Sequence, residues 1–202
     1  MVVDGVGELE VIAARVAAPL TLRRLSSIDD LAPVADLMAG YVAEIQRNML
    51  TLHGIDLLDI APEADLVVEI AGLLEPPHAI YVAEVDGRPA GTGGLKQIAP
   101  GVGEIKRMYV DPAFRGRGAA RAIVERLVSD GRAAGYRALR LESAVWMVEA
   151  HALYRSVGFV DGDDYAEREF GGLPSVQHLA RYMLLDLGGA PKPPVPLTPE
   201  SP

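Results

Sequence analysis

The sequence predicts an α/β protein with a mixed central β-sheet flanked by helices, its elements in the order β-α-α-β-β-β-α-β-α-β. Three observations predict it. The helical apolar period gives way near residue 79 to short strand-like runs bounded by turn residues. An Asp86-Gly87 pair sits between two strand-like runs. Beyond them, "VDPAFRGRGAARAIVERLV" (Val110–Val128) passes from a strand through a glycine-rich turn into an amphipathic helix.

"LTLRRLS" (Leu20–Ser26) alternates and reads as the first strand. Ser26 or Ser27 is expected to cap a long helix through Leu31, Val34, Leu37, Met38, Tyr41, Ile45 and Met49, stopped near Gly54. A second helix is expected to open at Pro62 and to run through "EADLVVEIAGLL" to Pro76-Pro77. "AIYVAEV" and "RPAGTGGLKQI" then form a hairpin across Asp86-Gly87. After the turn-rich "APGVG", the strand "EIKRMYV" spans Glu104–Val110 and is ended by Asp111-Pro112, since proline offers no ladder donor.

The helix after the loop gathers Ala120, Ile123, Val124, Leu127 and Val128 on one face and ends near Gly135. "RALRLES" is the next strand, "VEAHALYRSVGF" a shorter helix ending at Gly158, and "ARYMLLDL" the last strand. The chain divides into an N-terminal arm (1–19), one domain (20–187) and a flexible tail (188–202) with six prolines in fifteen residues.

Composition limits the function classes. Half of the 202 residues are apolar and 23% are charged, which suits a globular domain with a sizeable core. There is no cysteine, so thiolate chemistry and disulfides are excluded. The N-terminus lacks a basic region before an apolar run, and no stretch has the length of a membrane span. These features predict a cytoplasmic protein with no membrane partner. A net charge of −9 argues against a nucleic-acid partner. Yet Glu104–Arg140 holds nine Lys/Arg against four Asp/Glu, a local +5 in a remainder of −14. Such an island suits a small anionic ligand, and equally a solvated helix face.

Glycines 116 and 118 let successive amides turn inward, and Ala119 and Ala120 leave room at the first helical turn. Free N–H groups and the helix dipole there favour an anion, to which Arg115 and Arg117 add charge. The spacing matches neither the P-loop nor the dinucleotide fingerprint. The loop alone reads as a pyrophosphate-sized site, or as a plain strand-to-helix turn.

"EIKRMYVDPAFRGRGAARAIVERL" resembles the acetyl-CoA-binding segment of the GNAT superfamily of N-acetyltransferases, whose Gln/Arg-x-x-Gly-x-Gly/Ala pattern is met by Arg115, Gly118 and Ala120. "AGYRALRLES" and "AHALYRSVGF" are similar to the family's following strand and its Ala-x-x-Leu-Tyr-x-x-x-Gly-Phe segment, so the resemblance covers roughly Ile80 to Leu187. It implies a GNAT-like acyl-CoA N-acyltransferase fold using acetyl-CoA as donor. The amides of Arg115, Gly116, Arg117, Gly118, Ala119 and Ala120 would hold the pyrophosphate. The backbone of Met108, Tyr109 and Val110 would pair with the pantetheine arm, and a bulge there would splay the sheet to admit the thioester.

Transfer to an amine needs a base, an oxyanion donor and an acid for the leaving thiolate. The resemblance assigns Glu104 as the base and Tyr154 as the acid, with a backbone amide near Met108–Val110 as the oxyanion donor. Met147 departs from the pattern, standing where the family often carries asparagine. His53, His78, His151 and His178 are scattered without ligand spacing, so no metal site is expected. Trp146 and Met147 read as acceptor-pocket or core residues, and the acidic Asp161–His178 stretch as acceptor-facing or simply solvated. The expected acceptor is a small-molecule amine or amino acid derivative. Acetylation of a protein amine, or a non-catalytic acyl-CoA sensor, are the other readings, and a homodimer is left open.

Overall fold

A computed structural model describes residues 19–56, 69–165 and 175–188. The N-terminal arm, the proline-rich tail, the start of the second helix and the middle of the acidic stretch lie outside these residues.

Seven strands form one sheet in the order β1-β2-β3-β4-β5-β7-β6. They are β1 (Leu20–Arg24), β2 (Ala79–Val85), β3 (Arg88–Ala99), β4 (Val102–Val110), β5 (Ala138–Ala144), β6 (Val160–Asp161) and β7 (Ala180–Asp186). Every neighbouring pair is antiparallel except β4–β5, which is parallel. Parallel pairing requires a crossover, supplied by α2 (Ala119–Ala133). The other helices are α1 (Ala32–His53) and α3 (Val148–Val157), and residues 69–72 form a further helical turn.

Helices cover both faces of the sheet, which explains why "AIYVAEV" is apolar almost throughout. Tyr81 and Ala83 face a core built from α2 (Ile123, Val124, Leu127), α3 (Tyr154), β5 (Leu139, Leu141) and β7 (Met183, Leu185). Ile80 and Val82, of opposite parity, face α1 (Val34, Leu37, Met38) together with Ile70, Leu73 and Tyr109. The fully buried Ile123, Val124 and Leu127 contribute about 1.5–3 kcal/mol each by leaving water, which fixes α2 to the sheet.

Two local expectations are corrected. Neither Ser26 nor Ser27 caps α1, because a 3-10 turn (Ile28–Leu31) intervenes. The Ser27 hydroxyl and the Ser26 amide both donate to Asp30 Oδ2, at 3.1 and 3.3 Å, and α1 begins at Ala32 with proline in its first turn. Between α3 and β7 the chain also adds the two-residue strand β6, absent from the expected order.

Candidate active site

The site begins with a defect in the ladder. Thr92 pairs with Tyr109, but the next partners are Gly94 and Lys106, so Gly93 alone faces both Arg107 and Met108. This is a β-bulge in β4, and Arg107 takes a left-handed φ of 55° to make it. Gly93 is required there. A Cβ would come within 2.4 Å of Met108 Sδ and 2.5 Å of Ile123 Cγ2.

The bulge coincides with the end of β4–β5 pairing. The two strands match from Val102 with Ala138 to Ile105 with Leu141, then part, although each continues for several residues. A cleft opens between them, lined by Glu104, Lys106, Met108, Glu142, Ser143 and Tyr154 among others. Strand parity sorts its walls. Ile105 and Leu141 belong to the α2–α3 core, so Glu104, Lys106 and Glu142 project from the α1 face. Ser143 and Tyr154 come from the α2–α3 face. The sheet thus presents carboxylates from one side of the gap and hydroxyls from the other.

Glu104 is 1% exposed and accepts a 2.6 Å hydrogen bond from Tyr165, while Lys106 Nζ lies 3.6 Å from its other oxygen. Lys106 also pairs with Glu69 at 3.0 Å, and Arg107 with the same carboxylate. Burial pushes the Glu69 carboxyl up, but Arg107 and Lys106 outweigh that and hold it below the usual range. On the other wall, burial pushes the Tyr154 phenol well above the ordinary tyrosine range. His151, one turn before Tyr154, lies with Nε2 3.2 Å from Ser143 Oγ. Met147, in place of the expected asparagine, brings Sδ to 3.5 Å from that hydroxyl.

The strand β4 leads straight into the glycine loop. Asp111 accepts from the Ala113 amide at 2.8 Å and sets a 3-10 turn that buries Phe114. Gly116 and Gly118 follow with φ of 75° and 87°, and Gly118 is the N-cap of α2. The Ala122 amide closes the first turn onto Gly118 O at 3.0 Å, leaving the amides ahead of it at the open helix end. A Cβ at Gly116 would meet no atom within 4 Å, so the outer side of the loop has room for a ligand.

The two loop arginines differ in employment. Arg115 donates to Glu44 of α1 at 2.6 Å and to Val110 O at 3.0 Å, tying the loop to α1 and to the end of β4. Arg117 is exposed and lies over the Phe114 ring at 5.7 Å. Of the expected site residues, Glu104, Met108 and Tyr154 share the cleft. Tyr109 and Val110 turn their side chains into packing, against Tyr41 and Phe114, which leaves only their backbone for a ligand. Sequence reasoning passed over Lys106, Glu142 and Ser143. The signal for the last two was the polar pair that interrupts the apolar alternation of β5 after Leu141.

A parted sheet beside an amide-lined helix start has relatives. The model of the acetyltransferase (GNAT) family matches residues 47–159. An IAA acetyltransferase of Azospirillum brasilense is 32% identical over 130 residues, covering 64% of this chain and 80% of that protein. An uncharacterized N-acetyltransferase of Escherichia coli is 37% identical over 95 residues, with 46% of this chain and 56% of that one covered. Among solved structures, an acetyltransferase from Salmonella typhimurium with its cofactor acetyl-CoA superposes with a TM-score of 0.60 at 16% identity, over 86% of this chain and 98% of that one. The chain belongs to the GNAT acetyltransferase family. It is an acyltransferase with that family's fold.

Proposed function

We propose that the protein transfers the acetyl group of acetyl-CoA to a primary amine of a small molecule or amino acid derivative, by direct attack in a ternary complex. The observation that carries this reading is the cleft where β4 and β5 part, walled by carboxylates from one face and Tyr154 from the other.

The amides from Arg115 to Ala120, opened by Gly116 and Gly118, hold the pyrophosphate, and Arg117 supplies the unshared charge. The backbone of Met108, Tyr109 and Val110, beyond the last β4–β5 pair, accepts the pantetheine arm as an added strand. That arm brings the thioester between the walls. An amide at the bulge faces the developing oxyanion. Glu104 takes the amine's proton, directly or through water, and Tyr154 gives its proton to the departing sulfur. Glu142, on the same side as Glu104, adds a second negative group that draws an ammonium into the cleft.

Thiol release from acetyl-CoA, followed against a panel of primary amines, amino acids, amino acid amides and short peptides, tests the reading. Turnover is expected with small amines, and binding of acetyl-CoA without any acceptor. No binding and no release across the panel would end it. Turnover confined to peptides would replace the small acceptor with a protein amine.

A further inference from the structure

Ser143 and His151 sit on a face otherwise given to Leu139, Leu141 and Tyr154, at 8% and 3% exposure. A polar pair costs stability in such a place unless its hydrogen bonds are made. His151 Nε2 lies 3.2 Å from Ser143 Oγ. Burial, then Arg181 and Arg155, hold the imidazole below its usual 6.5, against the opposing pull of Asp161 and of the Ala144 backbone.

A neutral ring with its proton on Nδ1 has only a lone pair at Nε2. In that tautomer it receives the Ser143 proton. Met147 Sδ, 3.5 Å from the hydroxyl, competes weakly because a thioether is a poor acceptor. With its proton committed, Ser143 Oγ presents lone pairs to the cleft it lines.

We infer that Ser143 accepts a hydrogen bond from an amide N–H of the acyl donor's pantetheine arm, and that His151, neutral and protonated on Nδ1, is the positioning residue that fixes its hydroxyl. The inference rests on the acetyl-CoA reading above. It adds a side-chain contact from β5 to the backbone contacts of β4, so that both edges of the parted sheet grip the donor.

The charged groups around His151 are Arg155 of α3, Arg181 of β7 and Asp161 of β6. Asp161 accepts from both arginines, at 3.0 and 2.9 Å, and the Arg155 hydrogen bond above all holds it below the usual carboxylate range. Within this group the His151 imidazole is the one held below its usual value by burial. As pH falls through its lowered pKa, Nε2 gains a proton and donates to Oγ. The Ser143 proton then turns to the cleft and opposes the ligand's N–H.

Calorimetric titration with acetyl-CoA alone, with no acceptor, tests this. At pH 7.5, Ser143→Ala and Ser143→Cys are each expected to weaken binding about tenfold, and His151→Phe to weaken it similarly. The double variant should be no weaker than either single one, since both remove the same contact. The Ser143→Ala effect should fall toward onefold as pH passes the His151 pKa, read independently by NMR of the ring. Phosphate titration of the ligand cancels in that ratio. Circular dichroism identifies which variants are folded, and the cysteine variant, of similar volume, keeps the test alive if the alanine variant does not fold. Folded Ser143 variants that bind like the wild type would overturn the inference. So would a Ser143 effect that His151→Phe fails to reproduce. A wild type that does not bind acetyl-CoA would instead sink the reading on which the inference stands.

Discussion

A phenol buried against apolar side chains keeps its proton, because ionising it would place charge where water cannot reach. Tyr154 is in that position, 6% exposed and packed on Phe159 at a ring distance of 5.9 Å, and it lines the cleft. On the proposed mechanism the raised pKa keeps the phenol protonated at neutral pH, ready for a departing thiolate whose charge the same dry setting would destabilise. Tyr154→Phe retains the ring packing and deletes only the O–H. Thiol release should drop about a hundredfold, while the acetyl-CoA dissociation constant changes less than about threefold because the deleted group acts at the transition state. Since the phenol ionises only above the ordinary tyrosine value of 10.0, the wild-type rate should show no alkaline fall from this group below that pH. Equal rates for the two proteins from pH 6 to 9 would remove Tyr154 from the chemistry.

At the level of elements, the bulge in β4 decides where the cleft opens, and Gly93 is what lets the bulge form. Gly93→Ala must displace Met108 or Ile123, both packed against the core. A cost of about 2 kcal/mol follows, or roughly 5 °C in melting temperature for a chain of this size, with weaker acetyl-CoA binding because the register of Met108–Val110 shifts. A melt and a binding titration together check it, and an unchanged melting temperature would mean that the contact relaxes freely. The bulge itself was expected only through family resemblance. Nothing in "EIKRMYV" marks Arg107 as the residue with φ of 55°, since it is held there by packing and not by its own preference. By contrast, the β2–β3 hairpin was legible from Asp86-Gly87, whose φ values of 54° and 68° are those a tight hairpin turn asks for. The strand β6 was not legible, because two residues carry no period. That Glu104 and Tyr154 share a cleft was expected only through the family resemblance, whereas the Ser143–His151 contact joins residues eight apart on two elements and needed the packing of α3 on β5.

Across the whole molecule, net charge and local field oppose each other. The chain carries −9, so an anionic ligand is repelled at long range, but the segment Glu104–Arg140 carries +5. Part of that positive charge is already spent. Arg115 is paired with Glu44, Arg126 with Asp130, and Lys106 and Arg107 with Glu69. Arg117 is exposed over Phe114 at the helix start, and in the proposed reading it is the side chain that meets the ligand's phosphates. At about 0.15 M salt, charges farther than about 8 Å apart are largely screened. The repulsion from the distant acidic surface therefore fades with added salt sooner than the contact attraction at the loop. Raising sodium chloride from 50 to 300 mM should then weaken acetyl-CoA binding only severalfold in the wild type, the loss of loop attraction being partly offset by relief of the long-range repulsion. Arg117→Glu reverses the near term and leaves the far one, so its binding should be about tenfold or more weaker at 50 mM and should improve as salt rises. Titrations of both proteins across that range decide it. If the variant's salt dependence runs parallel to the wild type's, Arg117 does not face the phosphates, and the amides of the loop hold them unaided.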